Sequence, residues 1–245
     1  MRLRWDNPLA IALTQAIQGG DVDSLKRVLT EQPDLANARI ENQRGGSRTP
    51  LLVTTDWPGF FPNGPIIVGL LVAAGADPDL RTEGRMPETP LHWAASSDDW
   101  EVARALIDAG ADIEASGASI AGGTTLDNAI GYGCWDVARL LVERGARVNK
   151  LWHAAALGQM NRVRELLAVS PPPSPQDITD AFYQACAGGQ RRMAEYLFGL
   201  GADLNGTPSW GGNTPLDAAD GHGTARQLLI EWLRAQGAKS AKEAC

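Results

Sequence analysis

Thr89-Pro-Leu-His-Trp-Ala-Ala95, followed by Asp98-Asp-Trp-Glu-Val-Ala-Arg-Ala-Leu-Ile107 and Asp108-Ala-Gly-Ala-Asp112, is the stretch on which the fold turns. Thr89 suits a helix cap and Pro90 the first helical position, where a missing N–H costs nothing. Val102, Ala103, Leu106 and Ile107 form an apolar stripe at helical spacing, so a second helix follows. Gly110 suits the left-handed residue that ends it. The stretch predicts helix, turn, helix and a reversing loop.

The ending recurs. Gly-Ala pairs stand at 75–76, 110–111, 145–146, 201–202 and 237–238, at intervals of 35, 35, 56 and 36 residues. A unit of that length cannot bury its own apolar face and must stack on copies of itself. The opening motif recurs in weaker form at Thr49-Pro-Leu-Leu52, Thr124-Thr-Leu-Asp127, Leu151-Trp-His-Ala-Ala155, Ala181-Phe-Tyr-Gln-Ala185 and Thr214-Pro-Leu-Asp217.

Thr-Pro-Leu-His-x-Ala-Ala with a second helix and Gly-Ala-Asp resembles the ankyrin repeat. The resemblance implies an all-α solenoid of about seven helix-turn-helix units with hairpin-like loops, at roughly 7–37, 47–80, 87–114, 122–149, 150–169, 177–205 and 212–238. One domain is expected over 1–238, with an unpacked tail at 239–245. Asp6 or Asn7 caps the first helix in this reading, and the last helix runs from about Ala225 to Gln236 with the polar outer face of a lid. His92 takes the motif's histidine position, which the family uses to tie adjacent loops together; Asp127 and Asp217 correspond to it.

Composition narrows the function classes. The formal charge of −7 argues against a phosphate-neutralising surface, and the basic clusters Arg44 with Arg48 and Arg191 with Arg192 read as solvated faces. Cys134, Cys186 and Cys245 are odd in number and lack metal spacing, which points to a reducing compartment. The start, Met1-Arg-Leu-Arg-Trp, has no apolar core before a cleavage site, and no stretch reaches the ~18 apolar residues of a membrane span. A cytoplasmic monomer without cofactor, metal, membrane or nucleic-acid partner is expected. No Gly-x-Ser-x-Gly elbow, phosphate loop, dinucleotide fingerprint or His-Glu-x-x-His occurs. His222, in Asp220-Gly-His-Gly223, reads as a solvated turn residue.

Three departures from the repeat carry the candidate sites. Asp56-Trp-Pro-Gly-Phe-Phe-Pro-Asn-Gly-Pro65 is an aromatic insertion whose prolines and glycines exclude a continuing helix. It is either a lid on its own repeat or an anchor for a partner. The fifth unit replaces Gly-Ala with Val169-Ser-Pro-Pro-Pro-Ser-Pro-Gln176, an extended connector. Where the pattern prefers an apolar side chain, as at Val53 and Trp93, successive units place Asn128, His153 and Gln184. An unpaired buried polar group costs roughly 1 to 3 kcal/mol, so this row calls for mutual hydrogen bonds, water or a ligand. Trp152 and Tyr183 flank it, with Tyr132 and Trp135 further along the fourth unit.

The leading reading is an interaction module binding a protein or peptide on its concave face and loops. The loops are 41–48, 81–86, 116–122 and 206–212, with Trp57, Phe60, Trp93, Tyr132 and Trp210 as anchors. Eight tryptophans exceed the needs of such a core, so some should be exposed. The alternative is a small-molecule binder or enzyme around His153, with His153 as base and Asp127 or Tyr183 orienting it.

Overall fold

The computed structural model describes residues 1–42, 45–84, 86–220 and 226–244; Arg44, His222, Cys245 and the expected helix start at Ala225 lie outside the described residues. Two compact units, Met1–Ala146 and Arg147–Cys245, stand where the sequence alone points to one domain.

The first unit begins with β1 (Arg2–Leu3), α1 (Pro8–Gln18) and α2 (Val22–Glu31), followed by a short 3-10 helix over Pro33–Asn37. Asn7, not Asp6, caps α1 by accepting the N–H of Leu9 at 2.9 Å, because Asp6 is taken up by Arg4 at 2.8 Å. β2 (Arg39–Glu41) pairs parallel with β1 and antiparallel with β3 (Ser47–Arg48), so a small sheet joins the chain start to the first protruding loop. Helical pairs follow: α3 (Pro50–Thr54) with α4 (Gly64–Ala73), α5 (Pro90–Ser97) with α6 (Trp100–Asp108), and α7 (Thr125–Gly131) with α8 (Trp135–Glu143).

The repeat dictates the packing. Ile67, Val102 and Val137 occupy one position in successive second helices and are at most 1 % exposed; Leu71, Leu106 and Leu141 repeat the pattern one turn later. Alanines at Ala94, Ala95 and Ala129 are buried where first helices approach closely. Thr49, Thr89 and Thr124 cap the first helices, and Thr89 forms a reciprocal capping box with His92, as Thr124 does with Asp127. Proline at the first helical position recurs at Pro8, Pro50 and Pro90.

Each Gly-Ala ends its helix in the same way. Gly110 has φ 93°, and the N–H of Ala111 reaches back to the carbonyl of Leu106 at 3.0 Å, closing a Schellman turn. Ala76, Ala146, Ala202 and Ala238 make the same bond to Leu71, Leu141, Leu197 and Leu233 at 2.9 to 3.2 Å, and all five alanines are buried.

The second unit contains α9 (Leu151–Ala156), α10 (Met160–Leu167), α11 (Pro175–Ala187), α12 (Arg191–Gly199), α13 (Pro215–Asp220), α14 (Gln227–Ala235) and α15 (Ala241–Ala244). Phe182, Cys186, Met193, Leu197, Leu229 and Leu233 centre its core. Two expectations change here. The proline connector ends at Ser174, whose hydroxyl and Asp177 form a capping box, so Pro175 and Gln176 already belong to α11. The tail at 239–245, expected to be unpacked, carries α15, because Ser240 is capped by Glu243 at 2.8 Å and the N–H of Ala241 donates to Asp217 at 2.8 Å.

Candidate functional site

In the first unit the aromatic insertion, expected as a loop, runs from Asp56 to Asn63 before α4 begins. Buried Asp99 both caps α6 through Val102 and accepts the N–H of Phe60 at 2.6 Å, which pins the loop to the following repeat. On the other side Asn63 donates to the carbonyl of Gly20 at 2.9 Å. Arg48 and Asp56 form an ion pair at its base. This loop leaves Trp57 82 % and Phe60 58 % exposed.

Beneath Trp57 lies an open cavity of 290 Å³, lined among others by Asp56, Met86, Glu88, Trp93 and Tyr132. Glu88 is 9 % exposed. Its Oε2 accepts the indole N–H of Trp93 at 3.1 Å, and its Oε1 accepts the N–H of Ser119 at 2.9 Å and Nδ2 of Asn128 at 2.7 Å. Asn128 is satisfied on both ends: Nδ2 also donates to Ser96 at 3.2 Å, while Oδ1 accepts from the Ser119 hydroxyl at 3.0 Å and the Ile120 N–H at 3.1 Å. The Ser119 hydroxyl meets that of Tyr132 at 3.0 Å. A single polar network therefore joins the loop before α5 to the loop before α7.

His92 sits behind this network. Its Nδ1 lies 2.8 Å from the Thr89 hydroxyl and accepts the Thr89 N–H at 3.2 Å. Burial pushes the imidazole pKa down, while Glu88 and the nearby carbonyls of Gly123 and Ala115 oppose the shift. The ring thus bears on the next loop from within its own cap. Asp127 spends one carboxylate oxygen on the Thr124 N–H at 2.7 Å and hydroxyl at 3.1 Å, a capping role. Trp135 is the half-buried first residue of α8. Asp98 caps α8 from the preceding repeat, accepting the N–H groups of Asp136 and Val137 at 3.1 and 2.9 Å.

In the second unit Trp152, Tyr183 and Trp210 cluster, with ring centroids 6.1 Å apart for Trp152 with Trp210 and for Tyr183 with Trp210. The His153 ring is buried on α9 and packs edge-on to Trp152 at 4.1 Å. Gln184 is buried with no hydrogen-bond partner for its Oε1 among the described residues. Burial pushes the Tyr183 hydroxyl pKa up, away from proton transfer near neutrality. Asp180 holds the loop bearing Trp210 by accepting the N–H and hydroxyl of Ser209 at 2.8 and 2.6 Å. A broader cavity of 460 Å³ opens nearby between Lys150, Trp152, Leu166 and the prolines of the connector.

Three of the eight tryptophans, Trp5, Trp57 and Trp210, are about half exposed or more, and the remainder are half-buried. Glu88 and Ser96 escaped the sequence reading because they stand outside the repeat's apolar periodicity, while Ser119 was included only as part of the 116–122 loop. The one available signal was Asn128, which needed a partner. Among the described residues no group of His, Cys, Asp and Glu could hold a metal ion, and no helix is long and apolar enough to cross a membrane.

These features define a helical repeat protein with capped helix pairs and protruding hairpin-like loops. Residues 61–150 match the family model described as ankyrin repeats (3 copies), so this stretch of the chain carries ankyrin repeats. No curated protein matches its sequence.

Proposed function

We propose that this chain is a protein-interaction module whose first unit binds a protein or peptide partner through the Asp56–Asn63 loop and the adjoining first helices. Ankyrin repeats generally serve protein–protein interaction. The observation that carries the reading is the exposure of Trp57 and Phe60 on a backbone pinned by Asp99 and Asn63. Large apolar side chains on a pre-ordered loop bind without the entropy cost of ordering it, and aromatics dominate interface energetics. Trp210 and its aromatic neighbours offer a second anchor in the second unit. The module acts as a cytoplasmic monomer, in keeping with buried, unpaired Cys134 and Cys186.

Affinity capture from the native host, read by mass spectrometry, tests this. Trp57→Ala with Phe60→Ala should lose a partner that the unaltered chain retains. Retention of every partner by that variant and by Trp210→Ala removes the proposed face.

A further inference from the structure

The cavity lined by Trp57 brings aromatic and acidic side chains together. Its walls include two indoles and a phenol, from Trp57, Trp93 and Tyr132, together with the thioether of Met86. Glu88 lines the same cavity and brings a carboxylate to it. That carboxylate is almost wholly buried, and its hydrogen-bond partners, Trp93, Ser119 and Asn128, are all neutral. No salt bridge reaches it among the described residues: the Arg48 guanidinium is engaged by Asp56, and that of Arg81 by the carbonyls of Pro87 and Ser116. Buried charges are ordinarily matched by a counter-charge. Aromatic faces attract cations, more strongly where water is excluded.

We infer that this cavity receives the ammonium head of a lysine side chain presented by the partner protein. The inference rests on the interaction reading above and names the chemistry that the first unit recognises. Size supports a single side chain: at 290 Å³ the cavity falls just under the range of about 300–1,000 Å³ typical of small-molecule sites. The acceptor inventory favours lysine over arginine. A carboxylate offers about four lone-pair sites, and three donors already occupy Glu88, leaving one for a compact ammonium. The hydroxyls of Ser96, Ser97 and Ser119 line the same space and can take the remaining ammonium protons. A guanidinium, with five donors in a rigid fork, would leave more of them unmet. The chain's net charge of −7 also favours approach of a cationic partner.

The test is an NMR titration of the full chain, following the indole N–H signals of Trp57 and Trp93. Three capped pentapeptides serve as probes: Gly-Gly-Lys-Gly-Gly, the same with norleucine, and the same with Nε-acetyl-lysine. The lysine peptide should shift both signals at millimolar concentration, less so at high salt, while the two neutral peptides leave them in place. Trp57→Ala and Glu88→Gln should each weaken the lysine peptide roughly tenfold. Equal shifts by all three peptides, no shift with lysine, or unchanged affinity in Trp57→Ala overturn the inference. Because the Trp57 side chain is exposed, that variant remains informative if Glu88→Gln misfolds. Failed lysine binding with partner capture intact leaves the interaction module standing, and the converse result separates the two in the other direction.

Discussion

Asn128 donates from Nδ2 to Glu88 Oε1 at 2.7 Å across 40 positions of sequence, and so couples the helix of one repeat to the loop that opens the one before. Both residues are buried, so removal of one leaves the other's polar atoms without full compensation. Asn128→Leu should destabilise the first unit by about 1–3 kcal/mol in urea unfolding. Paired with Glu88→Leu, the loss should be less than additive, since the double variant leaves no orphan across the pair. Full additivity would show that the bond contributes nothing beyond each side chain's packing.

The Arg2 guanidinium grips Glu83 through two bonds of 2.6 and 2.9 Å, and the Ser47 hydroxyl donates to the same carboxylate at 2.7 Å. Together they lower the Glu83 pKa from 4.5 to about 2. A carboxyl with a depressed folded pKa contributes stability above its unfolded pKa and loses it as pH falls through the folded value. The melting temperature of the unaltered chain should therefore exceed that of Glu83→Gln above about pH 4.5, and the difference should close toward pH 2. A gap independent of pH between those values would contradict the assignment. Salt should narrow the gap, because the pair is exposed.

A Cβ built on Gly110 meets nothing within 4 Å, while its φ is 93°. Gly110→Ala therefore isolates backbone strain from steric conflict and should cost about 1–2 kcal/mol, with Gly110→Asn costing less. Gly64 differs, because its Cβ would stand 2.6 Å from Val102 Cγ2 in the core. There the cost is overpacking, about 1–3 kcal/mol, and a Val102→Ala background should relieve it. Calorimetric melts distinguish the two cases.

Burial pushes the Cys134 thiol up to about 12, and the Cys186 thiol higher still. The thiolate is the nucleophile, so both should resist iodoacetamide in the folded chain at pH 8. Both should react fully in denaturant. Rapid labelling of either in the native state, read by peptide mass mapping, would contradict the burial described for it.

Legibility followed the range of each interaction. The threonine caps, Pro90, and the left-handed glycines at Gly75 and Gly110 depend on neighbours within a turn, and the sequence displays them directly. The apolar stripe of α6 was visible for the same reason, although Ile107, at its edge, is only half-buried. The pairing of Arg2–Leu3 with Arg39–Ile40 was not, because strands of two and three residues are too short to carry a periodic signal. The aromatic insertion was legible as a loop. Its anchoring by Asp99 was not, since a helix cap and a loop clamp demand the same residue type. Asn128 drew notice by breaking the pattern, but Glu88, one residue ahead of the Thr89 cap, breaks none. Its role exists only once the loop before α7 is folded against it.

The Gly-Ala turn that ends five of the second helices, α4, α6, α8, α12 and α14, is sealed by main-chain atoms alone, from the alanine N–H to a leucine carbonyl five residues back. No side chain downstream takes part in that seal. Whatever follows the alanine can therefore lengthen, shorten or change chemistry without loosening the helix pair it leaves. The hairpin-like loops after Ala76 and Ala111 are positions where recognition can diverge between copies of one scaffold while the helix endings stay fixed.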